Sequence, residues 1–193
     1  MIEAYVKGLL QPAARRLAAT GVTPNQVTVA GLLTVLIAAV LIGYGFLVAG
    51  GLLFLAGSLF DLMDGVLARA EERTTDIGAF LDSSLDRIGE GVVFSALVLH
   101  FAREDDPWMA ALTVIALTGA YLTSYARARA EGLGMTCTVG LVTRPERVLI
   151  LGIGLIAGLA APAIWVLTML GAFTAAQRIV HVYRKSDTQP PAE

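Results

Sequence analysis

Apolar residues dominate this chain in six long runs, separated by short polar or glycine-containing stretches. The runs cover residues 24–47, 49–71, 76–101, 108–131, 145–161 and 163–184. Each approaches the ~20 residues that a helix needs to cross a hydrocarbon layer of ~30 Å. Gly50-Gly51, the 103–107 stretch and Ala161-Pro162 mark turns on one side; the 71–75 stretch, the 132–144 loop and the polar tail mark the other. Ahead of the first run, Ile2, Val6, Leu9, Leu10, Ala13 and Leu17 recur at helical spacing, with Lys7, Arg15 and Arg16 between them. That pattern predicts a helix lying on an anionic membrane surface, kinked at Pro12. Gly21 ends it, and Thr23-Pro24 starts the next helix as N-cap and first-turn proline. The predicted fold is all-α and integral to a membrane: six transmembrane helices plus an N-terminal amphipathic surface helix over 1–20. One domain runs to residue 185, and a disordered tail, 186–193, carries Pro190-Pro191.

Composition sharpens this picture. With 193 residues, 56% hydrophobic and 16% charged, the apolar runs exceed what a small soluble core absorbs. The single Cys137 excludes an intrachain disulfide and a zinc cluster, and His100 and His181 stand isolated. The first twenty residues lack a long apolar core, so no cleavable leader is expected. Of the basic residues, Arg103 alone falls on the far side; the rest sit at or near the side that holds the N-terminus. The positive-inside rule then places both termini and the 132–144 loop in the cytoplasm, at the cell membrane. No nucleic-acid partner is expected.

Charge inside the apolar runs carries the chemistry. Asp61 and Asp64 lie three apart on the second run, and Asp82 and Asp86 four apart on the third. Residues at those spacings share a helix face, so each pair can project two carboxylates toward one point. A carboxylate at mid-bilayer costs roughly 2.5–3.5 kcal/mol, so four facing lipid would cost about 10 kcal/mol. They must line a polar cavity, where clustered anions need cations. Oxygen-only ligands favour Mg²⁺, Mn²⁺ or Ca²⁺ over zinc. A metal site and an aspartate-lined ion or proton path both satisfy these facts, although no broken helix or internal repeat accompanies the aspartates. A second set consists of Arg127, Arg147 and Arg178, at the cytoplasmic ends of three different runs. Their convergence suits a phosphate dianion, which a guanidinium grips with a planar fork. Arg127 and Arg129, two apart, cannot both face inward.

The stretch from Asp61 to Asp86 resembles the signature of the CDP-alcohol phosphotransferase family, D-x-x-D-G-x-x-A-R-x(8)-G-x-x-x-D-x-x-x-D. Asp61, Asp64, Gly65, Ala68, Arg69, Gly78, Asp82 and Asp86 supply every fixed position. The resemblance implies transfer of a substituted phosphate group from a cytidine diphosphate donor to an alcohol, releasing CMP. It implies six transmembrane helices with a surface helix, and a homodimer. It also implies two ions, Mg²⁺ or Mn²⁺, with Asp61, Asp64 and Asp82 as ligands, and Asp86 as general base that also touches the second ion. Gly65 and Arg69 would contact the CDP-lipid donor. Thr75 and the turn of Asn25, Gln26, Val27 and Thr28 match family positions near the nucleotide, and they are equally suited to helix caps.

The strings around Ser124-Tyr125 to Glu131 and Arg144-Pro145-Glu146-Arg147 resemble the branch of that family that uses inositol phosphate. By that likeness Arg127, Arg147 and Arg178 hold the acceptor's phosphate, although bacterial members tend to carry lysine where this chain has Arg127. The expected reaction is transfer of a phosphatidyl or archaetidyl group from a CDP-linked lipid to 1L-myo-inositol 1-phosphate. The alternatives are phosphatidylglycerophosphate synthesis with glycerol 3-phosphate and, from another class, the aspartate-lined transporter.

Overall fold

The computed structural model describes residues 22–70 and 75–186, apart from the side chains of Asp64, residues 68–70 and Ser186. Six helices account for nearly all of these residues: α1 (Pro24–Gly43), α2 (Leu47–Ala70), α3 (Asp76–Arg103), α4 (Pro107–Gly132), α5 (Arg144–Ile156) and α6 (Ala160–Ser186). Their starts follow from local chemistry. Thr23 and Gln26 form a reciprocal capping box ahead of α1, with Thr23 N donating to Gln26 Oε1 at 3.0 Å. Thr75 caps α3 by accepting from Gly78 N at 3.0 Å. Asp106 caps α4, with Pro107 behind it, and Thr143 with Glu146 boxes the start of α5.

The helices close into a ring. α1 packs on α2 and α3, α2 on α5, α5 on α6, α6 on α4, and α4 back on α3. The interior at one end is almost wholly apolar: Ile42, Leu97, Leu155 and Ile164 are fully enclosed, with Phe94, Leu151 and Leu167 beside them. Outward, Val29, Leu33, Ile37 and Val40 form an exposed apolar stripe along α1, the surface a lipid phase would cover. Close approach of α1 to α2 depends on Gly31 and Gly57. A Cβ on Gly57 would come within 2.7 Å of Val35 Cγ2, and one on Gly31 within 3.0 Å of Asp61 Oδ1. That crossing sets α1 directly against the first aspartate.

The expectation of six transmembrane helices plus a surface helix is corrected here. Among the described residues there are six helices, and four of them, α1, α2, α4 and α6, are long and apolar enough to cross a membrane. Helix α3 has the length, but Asp76, Asp82, Asp86, Arg87 and Glu90 crowd its first half. Helix α5 has 13 residues, about 20 Å at 1.5 Å per residue, against the ~30 Å of a hydrocarbon core. It stops because the chain turns at Gly158, which has a φ of +71°, several residues before the Ala161-Pro162 turn expected from sequence. Pro162 instead sits in the first turn of α6, where its missing N–H costs nothing. The surface helix over 1–20 and the tail beyond 186 lie outside the described residues. Four crossing helices still make the fold that of a multi-pass membrane protein.

Candidate active site

Beyond the apolar end, the ring opens around a cavity of about 790 Å³ that receives side chains from α2 to α6. Asp61 and Gly65 enter from α2, Asp82, Asp86 and Arg87 from α3, Arg127 from α4, Arg144 and Arg147 from α5, and Arg178 from α6. Aspartates of α2 and α3 and arginines of α4, α5 and α6, far apart in sequence, therefore face one space.

Its acidic side is organised by Arg144. The Nη2 atom donates to Asp61 Oδ2 at 2.7 Å and lies 2.9 Å from Asp86 Oδ1, linking α2 to α3 through the first residue of α5. Arg87 approaches Asp86 from the other side at 3.5 Å and donates to Ser83 O at 2.9 Å. Asp82 is half-buried on the same wall. Asp64 and Arg69 lie on α2, and their side chains are outside the described residues.

The basic side has three differently held arginines. Arg147 is almost wholly buried and makes a two-pronged ion pair with Glu90, Nε to Oε1 at 2.8 Å and Nη2 to Oε2 at 3.0 Å. Arg178 is also buried; it donates to the Val139 carbonyl at 2.8 Å and the Thr123 carbonyl at 2.6 Å, pinning the 133–143 loop against α4. Gly140 supplies that loop with a φ of +142°, and a Cβ there would press on Arg178 at 3.3 Å. Arg127 is half-exposed and pairs with Glu131 one turn on, at 2.8 Å. All three still border the cavity, Arg147 and Arg127 each already paired with a carboxylate.

The residues matched to the nucleotide position are more dispersed. Asn25 and Gln26 are exposed in the first turn of α1, whereas Val27 and Thr28 are buried. Thr28 reaches a second, water-sized cavity of about 20 Å³ bordered by Asp61, Asp86, Glu90, Arg144 and Arg147. Gln26 and Thr75 act as caps, as already described, and neither borders the larger cavity.

Three contributors went unassigned from sequence. Glu90 lies one turn beyond Asp86 and so on the same face; that spacing was the available signal. Arg144 lies three before Arg147 and shares its face in the same way. Tyr121 donates its hydroxyl to the Arg87 carbonyl at 2.7 Å, fastening α4 to the acidic segment of α3; no local pattern marks it.

The donors present fit a hard divalent cation. Carboxylate oxygens from two helices already converge on one cationic nitrogen, Asp82 borders the same space, and among the described residues no sulfur or imidazole lines it. Among the described residues no three Asp, Glu, His or Cys side chains close around a single point; the fourth aspartate of the pattern, Asp64, is not among the side chains described.

Residues 21–183 match the family model for CDP-alcohol phosphatidyltransferase. The chain belongs to that family. Among similar family members is the archaetidylinositol phosphate synthase of Methanothermobacter thermautotrophicus, 35% identical over 187 residues that cover 93% of this chain and 91% of that protein. The phosphatidylinositol phosphate synthase of Mycolicibacterium smegmatis is 37% identical over 196 residues, covering 95% and 86%. Among solved structures, this CDP-alcohol phosphatidyltransferase is similar to the Mycobacterium tuberculosis phosphatidylinositol phosphate synthase with CDP-DAG bound. The TM-score is 0.83 at 33% identity, covering 90% of this chain and 92% of that one. The same relative in complex with manganese and citrate also gives 0.83, covering 90% and 88%. Family membership sets aside the transporter reading of the aspartates.

Proposed function

We propose that this CDP-alcohol phosphatidyltransferase moves a phosphatidyl or archaetidyl group from a CDP-linked lipid to 1L-myo-inositol 1-phosphate, with CMP as the second product. The observation that carries this reading is the cavity itself, acidic on one wall and lined by three arginines on the other. A pyrophosphate donor suits the acidic wall once cations are present, and a phosphate-bearing polyol suits the arginines. The names of the relatives support the same acceptor: one is an archaetidylinositol phosphate synthase and the other a phosphatidylinositol phosphate synthase.

The transfer is a single displacement. Asp86 takes the proton from an acceptor hydroxyl; that oxygen bonds to the lipid-side phosphorus, and the bond from this phosphorus to the CMP oxygen breaks. Arg127, Arg147 and Arg178 hold the acceptor phosphate, so the hydroxyl is presented to the acidic wall without a search. Gly65 offers bare backbone to the donor, Arg69 a charged fork, and Thr75 with the Asn25–Thr28 turn belongs to the nucleotide side. Asp61, Asp64, Asp82 and Asp86 would hold Mg²⁺ or Mn²⁺, two ions in all. When bound, such ions supply positive charge to the pyrophosphate and to the departing CMP. The working unit is a homodimer in the cell membrane, its site and both termini facing the cytoplasm.

Purified protein supplied with CDP-diacylglycerol and Mg²⁺ tests this by CMP release with inositol 1-phosphate, glycerol 3-phosphate, free inositol or serine as acceptor. Inositol 1-phosphate should give the highest kcat/KM, and free inositol little. Preference for glycerol 3-phosphate would overturn the acceptor assignment and point to phosphatidylglycerophosphate synthesis.

A further inference from the structure

One nitrogen of Arg144 is shared by carboxylates from two helices, at 2.7 Å to Asp61 and 2.9 Å to Asp86. Nothing in α5 requires this placement. The start of the helix is fixed by the Thr143–Glu146 box and by Pro145, and its side is fixed against α3 by the buried Arg147–Glu90 pair. Arg144 could leave the aspartates without releasing the helix that bears it. Its Nε is buried with no hydrogen-bond partner, so the guanidinium is incompletely satisfied where it stands. The side chain also borders the 790 Å³ cavity, which gives it somewhere else to go.

From this geometry we infer that Arg144 is a resident counter-cation: it holds Asp61 and Asp86 convergent and competes with a divalent cation for the same oxygens. The inference rests on the metal reading of the aspartates given above. Without a cation, carboxylates brought together from α2 and α3 repel one another in a partly buried setting, and the guanidinium cancels that repulsion. A hard divalent ion carries twice the charge and prefers the same oxygens. As it enters, Arg144 turns toward the cavity, where an anionic donor gives it a new partner. Arg144 is therefore a positioning residue for the proposed base, Asp86, and it lowers the site's affinity for metal while the donor is absent.

Mn²⁺ is the probe. The paramagnetic resonance signal of free Mn²⁺, followed as purified protein is titrated, gives the affinity of wild type, Arg144→Gln, Arg144→Lys and Asp61→Asn without turnover. Arg144→Gln should bind Mn²⁺ about tenfold more tightly than wild type, within the usual span of coupled sites. Arg144→Lys, keeping the charge without the fork, should lie between them. Thermal unfolding supplies a second readout: without metal Arg144→Gln should melt lower than wild type, and saturating Mn²⁺ should raise its Tm by more. Equal or weaker Mn²⁺ binding by Arg144→Gln, with wild type binding and Asp61→Asn impaired, would overturn the competition and leave the metal reading standing. Wild-type affinity in Asp61→Asn would remove the metal reading and this inference with it. Should Arg144→Gln fail to fold, Arg144→Lys binding no more tightly than wild type would overturn the inference by itself.

Discussion

Helix α3 passes through two different environments, and its halves follow different rules. From Val93 to Phe101 it buries Val93, Phe94, Leu97 and Phe101 against apolar residues of the other helices. From Asp82 to Glu90 it presents carboxylates to arginines of α5 and to the cavity. In the apolar half any well-shaped neighbour suffices, and position follows from packing. In the charged half each group depends on one particular partner, and removing that partner strands a charge. Loss at the apolar end should destabilise the fold and leave the chemistry of folded molecules alone; loss at the charged end should stop or redirect the chemistry, and costs stability as well where it strands a buried charge.

The largest break in that contrast should come from Asp86→Asn. Loss of the base should lower kcat by roughly 10²–10⁴-fold, with the protein still eluting as a folded species. Donor affinity falls as well if Asp86 also holds metal. A near wild-type rate would clear Asp86 of the role. Asp61→Asn should likewise abolish turnover, as should exhaustive chelation, which added Mg²⁺ reverses.

Next comes Arg147, which belongs to both halves of the comparison. Arg147→Ala leaves Glu90 buried without a partner, a loss of about 3–5 kcal/mol, read as a marked fall in Tm. Adding Glu90→Gln should recover most of that stability and none of the acceptor affinity. Recovery of both would make the pair purely structural. At the apolar end, Leu97→Ala should cost about 2–5 kcal/mol through the cavity it leaves. Turnover per folded molecule should stay near wild type; a specific fall in acceptor or donor affinity would mean that the two halves are not separable.

The same contrast explains what the sequence made legible. The start of α1 was readable because Thr23 is a capping residue followed directly by Pro24, and that of α3 because Thr75 suits a cap. The four crossing helices were readable from length and apolarity. Counting α3 and α5 as crossing helices failed for physical reasons: the first spends its opening half on charges, and the second ends where Gly158 takes a positive φ. In the site, Asp61, Asp82, Asp86 and the three arginines were singled out because charge in an apolar run demands an explanation. Their pairings were not readable. Glu90 and Arg147 are 57 residues apart and Asp61 and Arg144 are 83 apart, so only the closed ring brings them together. Local spacing gives the face a residue occupies, never the identity of the group across from it.

Arg127 offers the smallest and cleanest perturbation, because its only ion pair among the described residues is with exposed Glu131 and no buried charge is stranded by its loss. The most direct measurement is therefore the pair of Michaelis constants for Arg127→Ala, one for inositol 1-phosphate and one for the CDP-lipid. Losing one charge-assisted contact worth about 1.5–3 kcal/mol should raise the acceptor KM roughly 10–100-fold. Donor KM should stay within about twofold, since the proposal puts the donor against the aspartates. A raised donor KM with an unchanged acceptor KM would contradict the division of the cavity into an acidic donor wall and an arginine acceptor wall.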